Sequence, residues 1–246
     1  MNKPTRNALI TGATSGIGQA IAESLAAGGI RVIVSGRDAT RGNEVVKAIL
    51  ARGGDAQFMP ADLATMRGAS SLAVQAEQLL GSIDILVNDA GIFSFGPTAD
   101  TTAEGFDAMF ASNVRAPYFL TARLAPPMAA RNWGRIVNVT TMAAYIGMVG
   151  GALYGSSKAA LQLLTQSWAA EFGPHGVTVN AVAPGPVRTP GTDIMRDALE
   201  QLGKTVPAGR VGSPAEVAAV VSFLTSESAS YVNGATVAVD GGRTAV

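Results

Sequence analysis

A glycine-rich turn, Thr11-Gly12-Ala13-Thr14-Ser15-Gly16-Ile17-Gly18, follows directly on the apolar run Ala8-Leu9-Ile10-Thr11. Behind it, Ile17, Ala20, Ile21, Ser24 and Leu25 trace the i, i+3, i+4, i+7, i+8 stripe of a helix buried along one side, and Gly28-Gly29 supply its stop. A second apolar run, Arg31-Val32-Ile33-Val34, completes a β-α-β unit. This turn is the strongest constraint on the fold. It commits the first two strands to lie parallel with a helix packed across them.

The rhythm repeats. Ile83 to Val87, Arg135 to Val139, Val177 to Ala181 and Thr236 to Val239 are further β-branched runs separated by Ala-rich stretches. Strands apolar on nearly every residue are buried on both faces. The expected fold is therefore α/β: a Rossmann-type doubly wound parallel sheet in three layers, α/β/α. A length of 246 residues suits one domain, 1–246, and no linker or composition shift divides it. Residues 186–212 break the rhythm with Pro-Val-Arg-Thr-Pro-Gly-Thr-Asp and a polar helical piece reaching Gly203. Because this segment follows a strand, where ligands of open α/β sheets bind, it is expected to form a substrate lid.

Composition removes several functions. Lys plus Arg (18) equals Asp plus Glu (18) with no basic run of five, so no nucleic-acid partner is expected. With no Cys and one histidine, His175, in a turn after a helix, the chain lacks thiol chemistry, a Cys-ligated zinc and a Ser-His-Asp triad, and no metal is expected. Polar residues 1–7 lead into Ala8-Leu9-Ile10, too short for a signal peptide or a membrane span, which implies no membrane partner and a cytoplasmic location.

The glycine turn opens a helix, where backbone N–H groups and the helix dipole favour a diphosphate. Its spacing is G-x-x-x-G-x-G, without the Lys-Ser/Thr of a triphosphate loop, so a dinucleotide is favoured over ATP. At the end of the second strand stands Gly36-Arg37 in place of an acidic residue, and Arg37 suits a 2′-phosphate. NADP(H) is thus favoured over NAD(H), although Asp38, two positions beyond the expected acidic site, can still reach a ribose hydroxyl. Further along, Tyr154 and Lys158 sit four apart in Tyr-Gly-Ser-Ser-Lys, on one helix face. A phenol ordinarily loses its proton near pH 10, and the lysine charge is expected to lower that value. Alone, such a pair is more commonly a solvated helix face.

The ordered series of motifs resembles the short-chain dehydrogenase/reductase family along essentially the whole chain. Besides the glycine turn, it includes Asp62-Leu63 after the third strand, Asn88-Asp89-Ala90-Gly91 after the fourth, Asn113 in Ser-Asn-Val, Tyr154-x-x-x-Lys158, Pro184-Gly185-Pro186-Val187-x-Thr189 and Val239-Asp240-Gly241-Gly242. The resemblance implies hydride transfer between a nicotinamide cofactor and a ketone or secondary alcohol, with Tyr154 as the general acid or base. It also implies that Lys158 holds the nicotinamide ribose, that Thr141 positions the substrate oxygen, and that Asn113 holds a water leading from Lys158 to solvent. Gly12, Thr14, Ser15, Gly16, Ile17, Gly18, Arg37, Asp62, Leu63, Asn88, Ala90, Gly91, Pro184 and Gly185 become candidate cofactor contacts. Val187 and Thr189 are assigned to the carboxamide. A homotetramer is implied too.

Two positions depart from the family pattern. Asp89 replaces the second Asn of Asn-Asn-Ala-Gly, with a small structural effect expected, and Thr141 stands where the family generally has Ser. The extra methyl stiffens Thr141 and narrows its pocket. Alternatives follow: a 3-oxoacyl thioester reductase, with Arg123, Arg131 and Arg135 as candidates for docking an acidic carrier protein, or a dinucleotide-binding sensor with little catalysis. Met142, Tyr145, Ile146, Met148 and Val149 are expected to form an apolar substrate wall, and Trp133 and Trp168 to serve packing, with Trp168 also a candidate subunit contact.

Overall fold

The computed structural model describes residues 6–246, so residues 1–5 of the polar leader lie outside it. Seven parallel strands form one sheet in the order β3-β2-β1-β4-β5-β6-β7. They are β1 (Asn7–Thr11), β2 (Arg31–Gly36), β3 (Ala56–Pro60), β4 (Ile85–Asn88), β5 (Gly134–Val139), β6 (Val177–Pro184) and β7 (Thr236–Val239). The chain winds outward from β1 to β3, then returns to lay β4 beside β1. Winding direction therefore reverses between β1 and β4, and the strand ends splay there into a crevice.

Strand β3 is the one without an apolar run. Its residues mix buried Ala56 and Met59 with exposed Gln57 and Pro60, as befits an edge, so continuous hydrophobicity does not mark it. Elsewhere alternation divides the strands between two apolar layers. Ala8, Ile10, Val32, Val34, Ile85 and Val87 face α1 (Gly16–Ala27), α2 (Ala39–Ala51) and α8 (Pro214–Leu224). Leu9, Ile33, Leu86 and Ile136 face α3 (Met66–Leu80), α5 (Ala116–Ala130) and α6 (Ala152–Phe172). Side chains on successive residues point to opposite faces, and each face finds its own helices.

Helix α4 (Ala103–Phe110) runs into one turn of π-helix, Ala111–Arg115, and then into α5. Residues 186–212 are largely helical, a 3₁₀ segment at Pro190–Met195 followed by α7 (Arg196–Thr205). Both ends of this segment are pinned: Val187 bridges Gly212, and Ala208 N–H donates to the Gly241 carbonyl at 2.9 Å.

At the amino-terminal rim of the sheet, the guanidinium groups of Arg6 and Arg135 lie over the Trp133 ring, 3.6 and 4.5 Å from its centre, and the indole N–H donates to Glu227 at 3.1 Å. Trp168 is buried in the second apolar layer against the Tyr118 ring. His175 is exposed in a 3₁₀ turn between α6 and β6. Among the described residues, no helix is long and apolar enough to cross a membrane.

Leu86, on the central strand β4, has no solvent exposure. Leu86→Ala should cost about 2–5 kcal/mol, because the cavity beneath α5 cannot collapse fully. Urea unfolding should show a lower midpoint with an unchanged slope.

Candidate active site

The crevice between β1 and β4 holds the glycine turn. Gly12 has φ of +69°, and a Cβ on it would lie 2.8 Å from the Ala90 backbone. Only glycine lets the turn rest against the residues after β4. Thr11 Oγ1 fastens the two sides, accepting from the N–H groups of Asp89 and Ala90 at 3.2 Å each. Thr14 packs against Gly36 at the end of β2, while Ala13 N–H donates to the Ser35 carbonyl at 2.9 Å. No side chain caps α1, which leaves the positive end of its dipole and its first N–H groups toward the cleft.

Opposite the turn, α6 presents Tyr154 and Lys158 on one face of a cleft of about 450 Å³. Lys158 is buried and donates to the Val139 carbonyl at 2.8 Å. Burial lowers its pKa to about 8, with Asp89 pulling it back up. The Tyr154 phenol is pushed up to about 12, chiefly by burial and also by the Asp89 charge, while a hydrogen bond from Thr141 acts in the opposite sense. This corrects the expectation that the lysine charge lowers the phenol. The ammonium is spent on a carbonyl and balanced by a carboxylate, and desolvation of the phenolate wins. Thr141 is anchored at the end of β5, where its hydroxyl also accepts from Ala143 N–H at 3.3 Å.

Asn113 sits in the π turn with its amide fully engaged. It accepts from Ile92 N–H at 2.9 Å and donates to the Ile92 carbonyl at 2.9 Å, to Ser157 Oγ at 3.0 Å and to Met109 Sδ at 3.2 Å. The side chain thus has no N–H left for a water and ties the loop after β4 to α6. Asn88 also turns away from the cleft. It donates to Asn138 at 2.8 Å, which donates to Thr165 at 2.8 Å, a buried polar ladder joining β4, β5 and α6.

The remaining candidate positions separate into two groups. Gly12, Ser15, Gly16, Ile17, Ala90, Gly91, Pro184, Gly185, Val187 and Thr189 line the cleft with Thr141, Tyr154 and Lys158. Arg37, Asp62 and Leu63 stand further out, just beyond the carboxyl ends of β2 and β3. Arg37 is exposed with no ion pair among the described residues, whereas Asp38 caps α2 and pairs with Arg41 at 2.8 Å. Val187 N–H takes no protein acceptor among the described residues, while its carbonyl accepts from Thr192 Oγ1 at 3.2 Å.

The apolar wall differs from expectation. Met142 and Met148 line the cleft, but Tyr145 and Val149 point outward and Ile146 does not reach it. Phe93 and Phe95 take their place, with ring centres 6.2 and 5.9 Å from that of Tyr154. Their sequence neighbourhood, directly after Asn-Asp-Ala-Gly-Ile, was the only available signal. The candidate docking arginines are not beside the cleft either. Arg135 is buried at the opposite rim, Arg131 is held by the Ile83 carbonyl and Asp84, and Arg123 pairs with Glu77 of α3.

The residues present suit a dinucleotide. The cradle at Gly12 has room for backbone only, no side chain caps α1 among the described residues, and an open cleft lies between the turn and Tyr154. No cluster of metal-ligating side chains occurs among the described residues.

A family model described as enoyl-(acyl carrier protein) reductase matches residues 12–244. The 3-oxoacyl-[acyl-carrier-protein] reductase FabG of Aquifex aeolicus (strain VF5) is 37% identical over 236 residues, 95% of each chain. A solved structure of a short chain dehydrogenase/reductase family protein shares 47% identity and superposes with a TM-score of 0.89 over 98% of each chain. The 3-oxoacyl (acyl-carrier-protein) reductase of Agrobacterium tumefaciens C58, solved with NADP bound, shares 32% identity with a TM-score of 0.92, covering 96% of this chain and 93% of the other. Matches of this strength, running along nearly the whole chain, make it a member of the short-chain dehydrogenase/reductase family, nicotinamide-dependent oxidoreductases acting on CH–OH and C=O groups.

Proposed function

We propose that the protein is an NADP(H)-dependent carbonyl reductase acting on small to medium, mainly apolar ketones, with oxidation of the matching secondary alcohols as the reverse reaction. One observation carries this reading: the Tyr154 phenol, beside Thr141, faces the glycine cradle across an apolar cleft. Hydride transfer to and from the carbonyl carbon is the chemistry a bound nicotinamide supplies.

The chain's own residues handle the oxygen and its proton. Thr141 orients the carbonyl oxygen toward the phenol, and Tyr154 then gives it a proton as the alkoxide forms. The phenolate left behind sits one helical turn from the Lys158 ammonium, which the Val139 carbonyl keeps pointed into the cleft. A phenol pushed up to about 12 is fully protonated at neutral pH, so the acid needed for reduction is always loaded. Alcohol oxidation needs the phenolate and is helped by higher pH.

Arg37 supports the choice of NADP(H), since a guanidinium at the end of β2 with no ion pair among the described residues suits a phosphate, and Asp38 is already spent on the α2 cap and Arg41. The free Val187 N–H suits a carboxamide oxygen. Segment 186–212 acts as the lid, lending Met195, Ala198, Leu199 and Leu202 to the apolar side of the cleft. The exposed Tyr118, Phe119 and Leu163 on α5 and α6 suit a surface covered in a homotetramer. Reduction of 3-oxoacyl thioesters is the second reading, supported by the FabG relative but not by the positions of the three arginines.

Tyr154→Phe should lower turnover by at least about 100-fold, the usual contribution of a general acid, while cofactor still binds. An unchanged rate on a ketone and alcohol panel would remove the proposed chemistry. Arg37→Ala should weaken NADPH binding by about 10- to 100-fold, the worth of a charge-assisted hydrogen bond, and leave NADH within about twofold. Equal losses for both cofactors would tell against a phosphate contact. Thr141→Ala should cost about tenfold or more in turnover while Thr141→Ser keeps it, because only the serine retains a hydroxyl; indifference to both would show that hydroxyl to be idle.

A further inference from the structure

Asp89 lines the cleft without a part in the mechanism above. Its N–H is held by Thr11 Oγ1, which fixes the residue at the end of β4 against β1. The carboxylate lies beneath the glycine turn. Its Oδ2 is 2.6 Å from the point a Cβ on Gly18 would occupy and 3.0 Å from the corresponding point on Gly12. On its other side are Lys158 and Tyr154 of α6, the titratable groups that face it among the described residues. Lys158 is bonded to Val139 and makes no close ion pair with it. Thr11 of β1, Asn88 of β4 and Ser15 of the turn complete the surroundings without a charge.

Gly18 is the third residue of α1. Asp89 therefore places a carboxyl group against the first turn of α1 from inside the protein, while the cradle offers that same positive end to a diphosphate from the cleft. Two anions compete for one helix terminus. We propose that Asp89 is a positioning residue that links cofactor binding to uptake of a proton: the neutral acid leaves the turn free to receive the diphosphate, and the carboxylate opposes it. The proposal rests on the reading that this turn holds a nicotinamide dinucleotide.

Burial pushes the Asp89 carboxyl up to about 7, with Lys158 and the Gly18 N–H pulling the other way, so both forms are present at neutral pH. A neighbouring diphosphate disfavours the anion and raises this value further. Between the free and bound values binding takes up a proton, and the dissociation constant grows as pH rises through that window. An asparagine at position 89 keeps an acceptor oxygen toward Gly18 without a charge.

The test is calorimetric titration of the intact protein with NADPH and with NADH between pH 6 and 8.5, in two buffers of different ionisation heat. NADH carries no 2′-phosphate, so its proton uptake cannot come from that group. The wild-type protein should take up a fraction of a proton near pH 7 with both cofactors, and its affinity should fall several-fold from pH 6.5 to 8. Asp89→Asn should abolish most of the uptake and hold the affinity within twofold, while Asp89→Glu should keep the linkage. Equal uptake in wild type and Asp89→Asn, or none in wild type, would overturn the proposal. Failure of the wild type to bind either cofactor would instead overturn the reading of the cradle, and the proposal with it.

Discussion

Helix α1 begins within touching distance of the chain that leaves β4, because Gly12 brings backbone against backbone at Ala90. Everything functional is arranged around that contact. It fills the crevice where winding reverses, sets the positive end of a helix over it, and leaves the opposite wall to α6. A methyl group on Gly12 would part the two sides by up to about 1 Å, loosening the bonds the Thr11 hydroxyl accepts from Asp89 and Ala90.

Buried polar groups keep the far wall in place. Lys158 sits in the interior at 4% exposure, a position an ammonium holds only with an oxygen to receive its protons, and the last carbonyl of β5 provides it. The Asn88–Asn138–Thr165 ladder and the amide of Asn113 add directional ties from β4 and β5 to α6. Apolar packing alone would let α6 slide along its layer. These bonds fix its register, and so the height of Tyr154 above the cradle.

Most of the fold was legible because buried parallel strands announce themselves as β-branched runs and the glycine turn marks the first crossover. Edge strand β3 escaped that reading: two of its five residues, Gln57 and Pro60, are exposed and interrupt the pattern. The Tyr154 and Lys158 pairing on one face followed from helical periodicity. What the charges do to one another did not, since it depends on Asp89 lying close to Lys158 from across a crevice, 69 positions away in the chain. Phe93 and Phe95 were invisible for a similar reason. Loop residues carry no period, and only the path of the chain after β4 folds their rings over the phenol.

The two rims of the sheet are unequal. One is β3, ending in Pro60, which has no N–H to offer, and bending away into the Thr65 cap of α3. The other is β7, four residues long and followed by Gly241 and Gly242 with positive φ. A stray extended chain would find at either side a ladder of only a few rungs, too short to template further pairing. A sheet this apolar, seven strands wide, thus avoids fibrillar growth through the brevity of its margins.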